Sequence, residues 1–267
     1  MPSRLALGVS YRGGAYHGWQ SQPGCRTVQD ALEQALAAFA DQPVRTVCAG
    51  RTDAGVHALN QVVHADVAVE REAFSWVRGT NRFLPADIAV QWAMPVGERF
   101  HARNGALGRR YRYLLRESPA RPALDAGLVG WTFRPLDAVA LREAAAHLVG
   151  THDFSSFRSS ACQSPTPVKT LKRIDIAFRG QPMAGWWTFE FDGNAFLHHM
   201  VRNLMGSLVM VGSGRRPPGW MAEVLTARDR DAAAPTFSPD GLCFLGPYYD
   251  PALGIPETVA AAPWLMP

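Results

Sequence analysis

Apolar residues along this chain change their spacing from segment to segment, and that spacing lays out an order of elements. Leu5, Leu7, Val9 and Tyr11 recur at every second position, which predicts a strand with one buried face. After a Gly-rich loop, Val28, Leu32, Leu36 and Phe39 recur near helical spacing, and Thr27 with Asp30 three residues later resembles a capping box; together they predict a helix of about three turns. Strand-like residues return at Arg45 to Ala49 and at Gln61 to Val69, separated by a loop that carries Gly50 and Gly55. A second helix is expected from about Glu70 to Phe83, and Ile88, Val90, Trp92 and Met94 alternate as a fourth strand. The resulting order, β-α-β-β-α-β, is that of the ferredoxin-like or split βαβ arrangement.

The second half repeats this order with longer insertions. Tyr111, Tyr113 and Leu115 alternate with arginines, Asp137 is placed to cap a helix ending near Val149, and the sets Ile174, Ile176, Phe178 and Trp187, Phe189, Phe191 alternate as two strands. Leu197 to Val211 reads as a mostly buried helix, Pro218 to Thr226 as another, and Gly241 to Leu245 as a short closing strand. The expected fold class is α+β: two ferredoxin-like halves whose mainly antiparallel sheets line a basic cleft. The expected division is residues 1–105, residues 106–250, and a Pro-rich tail over residues 251–267 that packs on a neighbour or frays.

Composition narrows the class only a little. With 47% hydrophobic residues and no run near the roughly 18 that a membrane-spanning helix needs, the chain reads as globular. Met1-Pro2-Ser3-Arg4 runs straight into a strand pattern with no apolar signal core, so a cytoplasmic protein is expected. Cys25, Cys48, Cys162 and Cys243 stand singly, without disulfide, redox or metal spacing, and are expected as reduced thiols. A net charge of +4 permits nucleic-acid binding without requiring it. Of 27 cationic residues only Lys169 and Lys172 are lysine; GC-rich coding is the larger cause, yet arginine's planar fork suits phosphates and bases.

The sharpest local feature is Gly50-Arg51-Thr52-Asp53-Ala54-Gly55-Val56-His57, between two expected strands. Its glycines let the backbone turn tightly and approach another molecule, and Asp53 then projects from a rigid strand end. Taken alone, the stretch reads first as a hairpin whose aspartate caps its own turn.

Other motifs decide between these readings. Gly50 to Ala58 closely resembles the signature of TruA-type tRNA pseudouridine synthases. So, in the same order, do Tyr16-His17-Gly18-Trp19-Gln20, Val28-Gln29, Asn81 with Leu84-Pro85, Phe100-His101-Ala102-Arg103, Arg110-Tyr111-Arg112-Tyr113, His152-Asp153-Phe154, Cys162-Gln163-Ser164 and His199-Met200-Val201-Arg202-Asn203. The likeness spans roughly Leu5 to Tyr249. It departs at Arg12 and Gly14 in the first loop, at Asn104-Gly105 and at Phe237-Ser238, leaving Asp53, Tyr111 and Arg202 intact.

The resemblance implies the pseudouridine synthase fold and an isomerase that converts uridine to pseudouridine in tRNA, at positions 38, 39 and 40 of the anticodon stem-loop. It implies a homodimer, and neither cofactor nor metal. Asp53 is then the catalytic carboxylate, Arg202 its ion-pair partner, and Tyr111 the active-site tyrosine whose ring lies on the uracil and whose hydroxyl helps move the C5 proton. Arg51 is placed to enter the RNA when the target base is extruded, and Arg110, with Arg109 and Arg112, either holds phosphates or forms a solvated strand face. Tyr113 is expected in the core, and Trp186, Trp187, Phe189 and Phe191 as sheet core and strand flank, not as a stacking platform. His198 and His199, adjacent on a helix, would point about 100° apart and could not jointly chelate a metal. The competing readings are a noncatalytic RNA-binding protein of two RRM-like domains, and a ferredoxin-like small-molecule enzyme or sensor.

Overall fold

A computed structural model describes residues 3–257; within them, residues 3–109 with 243–257 form one unit and residues 110–242 a second. The first unit begins with β1 (Ser3–Tyr11), α1 (Val28–Ala40), β2 (Val47–Cys48), β3 (His57–Val67), α2 (Ala73–Asn81) and β4 (Ile88–Val96). Strands pair antiparallel in the order β4-β1-β3, and β2 adds antiparallel to β3.

α1 starts where the cap predicts. The Thr27 hydroxyl oxygen accepts the N–H of Asp30 at 3.2 Å, and its own proton goes to the Asp30 carboxylate. Val28, Leu32, Leu36 and Ala40 face inward at helical spacing, while Phe39 is half-buried and meets the edge of Trp76 on α2 at 5.3 Å. α2 is shorter than expected: Glu72 before it is extended and makes no side-chain cap, and the Asn81 amide at its other end is drawn into two hydrogen bonds with the backbone of Val90. β1 is buried on both faces, whereas alternation predicted one. Ala6 on its second face joins Val62, Phe100, Ala102 and Tyr249 in a separate apolar cluster.

The second unit carries β5 (Gly108–Glu117) from residue 110 on, β6 (Gly130–Thr132), α3 (Ala138–Ala146), β7 (Gly150–Asp153), β8 (Val168–Gln181), β9 (Ala184–Gly193), α4 (Met200–Gly212) and α5 (Trp220–Ala227). Its strands run in the order β5-β9-β8-β7, with β6 parallel to β5. β9 alternates buried and half-buried residues along its length, with Trp187, Phe189 and Phe191 inside as expected; Trp186 stays half-buried beneath the Arg116 guanidinium at 4.7 Å. Asp137 caps α3 by accepting from the N–H groups of Val139 and Ala140 at 2.7 and 3.2 Å. The buried Glu117 carboxylate is matched by three donors, the Trp187 indole and the N–H groups of Met183 and Leu136, at 2.7, 2.7 and 3.0 Å.

The last strand, β10 (Leu242–Tyr248), runs parallel to β3, with Cys243 opposite His57 and Phe244 opposite Ala58. Chain order assigns this strand to the second half, whereas from residue 243 on its contacts place it in the first unit. Beyond it, Ile255 is buried in the Phe100–Tyr249 cluster, so the start of the Pro-rich tail packs; residues 258–267 lie outside the described residues. The architecture is α+β with mostly antiparallel ladders. The four cysteines are free thiols. Among the described residues no helix is long and apolar enough to cross a membrane.

Candidate active site

The loop between β2 and β3 carries Arg51 and Asp53, and its backbone polar groups are tied down one after another. The Ala49 N–H donates to Val62 at 2.8 Å, and the Ala49 carbonyl accepts the Arg109 guanidinium at 3.0 Å. Both polar groups of Gly50 go to one side chain: its N–H donates to Gln61 Oε1 at 3.4 Å, and its carbonyl accepts from Gln61 Nε2. The Thr52 carbonyl accepts the Trp19 N–H at 3.0 Å, and the Thr52 hydroxyl shares a buried hydrogen bond of 2.8 Å with Tyr11. The Asp53 carbonyl accepts from Val56 at 3.1 Å, and the Gly55 N–H donates to Tyr16 at 3.3 Å. On this frame Asp53 is half-buried and Arg51 exposed.

The first loop, between β1 and α1, lies directly against the Asp53 loop. Gly18 sits at φ +87°, and a Cβ there would stand 2.6 Å from the Thr52 carbonyl oxygen; a Cβ on Gly13 would stand 2.0 Å from that of Val56. Only glycine lets the two backbones meet so closely. Tyr16 anchors this loop: its hydroxyl donates to Asp87 at 2.6 Å, and the Arg26 guanidinium donates to its oxygen at 3.1 Å and lies 4.6 Å above its ring. Burial and the Asp87 carboxylate push its pKa up to about 12, so it remains a donor at any physiological pH. Position 14, one of the departures from the family pattern, faces open space.

β3 supplies more of this frame than its sequence suggests. His57, Asn60, Gln61 and His64 are all buried, and each reaches a loop or another strand. His57 Nδ1 accepts the Gly13 N–H at 3.1 Å, and Asn60 accepts from the Trp92 indole at 3.0 Å and donates to the Pro256 carbonyl at 2.9 Å. His64 Nδ1 accepts the Ala102 N–H at 3.2 Å. Burial, with Arg4 and His101 adding to it, pulls the His64 pKa down to about 4. The signal was present in the sequence as four polar residues interrupting an apolar strand, since a buried amide or imidazole must find partners.

In the second unit the other two expected catalytic residues ride on regular elements. Tyr111 is buried on β5, its ring meeting the edge of Phe196 at 5.0 Å. Tyr113, two residues on, is core as expected: it donates to the Ser238 carbonyl at 2.9 Å, and burial drives its pKa far above the usual range. Arg202 lies in the first turn of α4, where its Nε donates to the Phe237 carbonyl at 2.9 Å and its own carbonyl accepts the Phe237 N–H at 3.2 Å. Support from residue 237 is therefore backbone support, which explains why the departure at Phe237-Ser238 is compatible with an intact Arg202. The next residue, Asn203, is fully buried and donates to Phe157 at 2.8 Å while accepting from Thr236 at 2.7 Å.

The strand arginines divide. Arg109 donates to the carbonyls of Ala49, Arg103 and Ala106, which makes it a brace within the first unit. Arg112 forms a cross-strand ion pair with Glu190 at 2.5 Å, and Arg110 is half-buried on the same strand. The two histidines differ from expectation. They do not lie on the helix but in the turn before it, His199 holding a left-handed φ of +63° at the N-cap of α4, and their rings stand 4.0 Å apart. The 100° separation of helical neighbours therefore does not apply. A turn has no such constraint, and the His198 N–H is drawn instead to Cys162 Sγ at 3.4 Å.

Residues 8–103 and 144–250 match the family model described as tRNA pseudouridine synthase. A protein of Methylibium petroleiphilum named tRNA pseudouridine synthase A is 69% identical over 262 residues, covering 98% of this chain and 99% of its own. Proteins of the same name from Polaromonas naphthalenivorans and Paracidovorax citrulli are 62% and 63% identical over the same shares of each chain. With likeness at that level running from end to end, and the Gly50–Ala58 loop built into the fold as described, this chain belongs to the tRNA pseudouridine synthase family, a family of isomerases.

Proposed function

We propose that this enzyme isomerises uridine to pseudouridine at positions 38, 39 and 40 in the anticodon stem-loop of tRNA, with Asp53 as the catalytic carboxylate. The observation that carries the reading is the half-buried Asp53 on a loop whose backbone is anchored at residues 49, 50, 52, 53 and 55. That is the preorganisation a catalytic group needs, and a loop of merely structural use does not require it.

The reaction breaks the N1–C1′ bond, turns the uracil, and forms the C5–C1′ bond; C5 loses its proton and N1 gains one, so nothing is oxidised or hydrolysed. Positive charge builds on the ribose as the bond breaks, and the Asp53 carboxylate stabilises it, traps it covalently, or relieves it by taking a sugar proton. Tyr111 supports the uracil ring and assists the C5 proton, and Arg202 keeps Asp53 ionised. Arg51, exposed at the loop tip, fills the place of the extruded base, and Arg110 contacts the RNA backbone. The chemistry requires no cofactor. We read both units as variants of the ferredoxin-like arrangement, and the working unit as a cytoplasmic homodimer.

Incubation of purified protein with unmodified tRNA transcript, followed by position-resolved pseudouridine detection, tests the reading. Product at uridines 38 to 40 is expected. Product elsewhere in the tRNA would keep the chemistry and revise the specificity, and no product from folded protein would favour a noncatalytic RNA-binding role.

A further inference from the structure

We propose that Gln61 is a positioning residue for Asp53, fixing the stem from which the carboxylate meets its substrate; the inference rests on Asp53 being the catalytic carboxylate. Gln61 lies on β3 opposite Val9 of β1, and its side chain is fully buried. Its carboxamide accepts from the Gly50 N–H at 3.4 Å and donates to the Gly50 carbonyl, so one rigid group grips both polar atoms of a single residue. Gly50 is the residue from which Arg51-Thr52-Asp53 departs. As a glycine it has the widest choice of backbone angles, and it has no side chain with which to lock itself.

The anchors on either side make the grip consequential. Ala49 is held at both polar groups, by Val62 and Arg109, and Thr52 is held by Trp19 and Tyr11. Gln61 closes the interval between those anchors, where rotation would otherwise swing the Asp53 carboxylate. A primary amide offers a donor and an acceptor a little over 2 Å apart in one plane and facing the same side, whereas the two ring nitrogens of a neutral histidine diverge, and glutamine rather than asparagine has the reach from β3. A displacement of about 1 Å at a reacting group is enough to cost on the order of a hundredfold in rate.

The test uses Gln61→Met, equal in length but without hydrogen bonds, and Gln61→Asn, which keeps the amide one methylene short. Each is assayed on unmodified tRNA transcript in single turnover at saturating enzyme, with tRNA affinity measured separately and the Gly50 amide followed by hydrogen exchange. The expected result is a saturating rate lowered by roughly a hundredfold per folded molecule, tRNA affinity within about twofold of wild type, and faster exchange at Gly50. A purely structural role would lower the melting temperature and the folded fraction but leave the rate per folded molecule unchanged, and that outcome overturns the proposal. If Gln61→Met does not fold, Gln61→Glu, which still accepts from the Gly50 N–H, decides: a wild-type saturating rate overturns the proposal, and a lowered one with intact binding supports it. Asp53→Asn is run alongside. An active Asp53→Asn sinks the catalytic reading itself, whereas an inactive one beside a fully active Gln61→Met sinks the clamp alone.

Discussion

The two units hold their expected catalytic residues by different means. In the second, Tyr111 stands on a strand and Arg202 on the first turn of a helix, so regular hydrogen bonding has already fixed their backbones, and packing against Phe196 and the Phe237 carbonyl orients the side chains. In the first, Asp53 stands on an irregular loop with no ladder to fix it. Its position is instead assembled from separate hydrogen bonds: Gln61 to Gly50, Tyr11 and Trp19 to Thr52, Tyr16 to Gly55. A loop is what allows a carboxylate and an exposed arginine to reach a folded RNA, and the side-chain bonds are what make such a loop rigid. Removing a residue borne on a regular element should therefore cost chemistry without disturbing its neighbours. Removing a loop brace should cost some of both.

Asp53 itself apart, the largest effect is expected in the second unit. Arg202→Met should lower the saturating rate by roughly a thousandfold while tRNA affinity and melting temperature change little; Arg202→Lys should fall between, because an ammonium lacks the guanidinium fork. Wild-type single-turnover kinetics in Arg202→Met would remove this residue from the reaction. An intermediate effect is expected at the loop. Tyr11→Phe deletes the buried bond to Thr52 and should lower stability by about 1–2 kcal/mol and the saturating rate by roughly tenfold, whereas a loss of stability alone would break the contrast drawn here.

A smaller effect, confined to the first unit, follows from His64. Its folded pKa of about 4 lies below the ordinary 6.5, so the unfolded chain takes up the proton first. The stability this histidine contributes is complete above pH 6.5 and declines as pH falls from there toward 4. Arg4 and His101 oppose its protonation, and Asp66 favours it. The unfolding free energy from urea titrations should fall on the order of 1 kcal/mol between pH 7 and ~5.5, and His64→Gln should flatten that slope. The smallest effect is expected at Gly14, where a Cβ meets nothing within 4 Å. Gly14→Thr should leave the rate within about twofold.

What could be read beforehand was whatever depends on local repetition. The helical spacing and cap of α1 and the alternation of β8 and β9 were legible because each pattern is complete within its own segment. The three-residue β6 and four-residue β7 are too short to show a period, and β10 joins the first unit only through a partner far along the chain. Asp53 was legible through its glycine-flanked motif, with the family likeness deciding its meaning. The role of Gln61 was not: a polar residue in an apolar strand says that a partner is needed, but the partner lies eleven positions away on the far side of a loop, and nothing in the run Gln61-Val62-Val63 names Gly50. The histidine turn was missed for a related reason, since the apolar run of α4 continues to Leu197 while the helix begins only at Met200.

The central claim is that Asp53 performs chemistry and does not serve binding. Asp53→Asn, equal in size but unable to carry the charge, separates the two in one experiment: enzyme in excess over unmodified tRNA, with bound RNA and pseudouridine measured on the same samples. The account predicts a complex of near wild-type affinity and no detectable pseudouridine over many wild-type half-lives. Pseudouridine formed at the wild-type rate would contradict it.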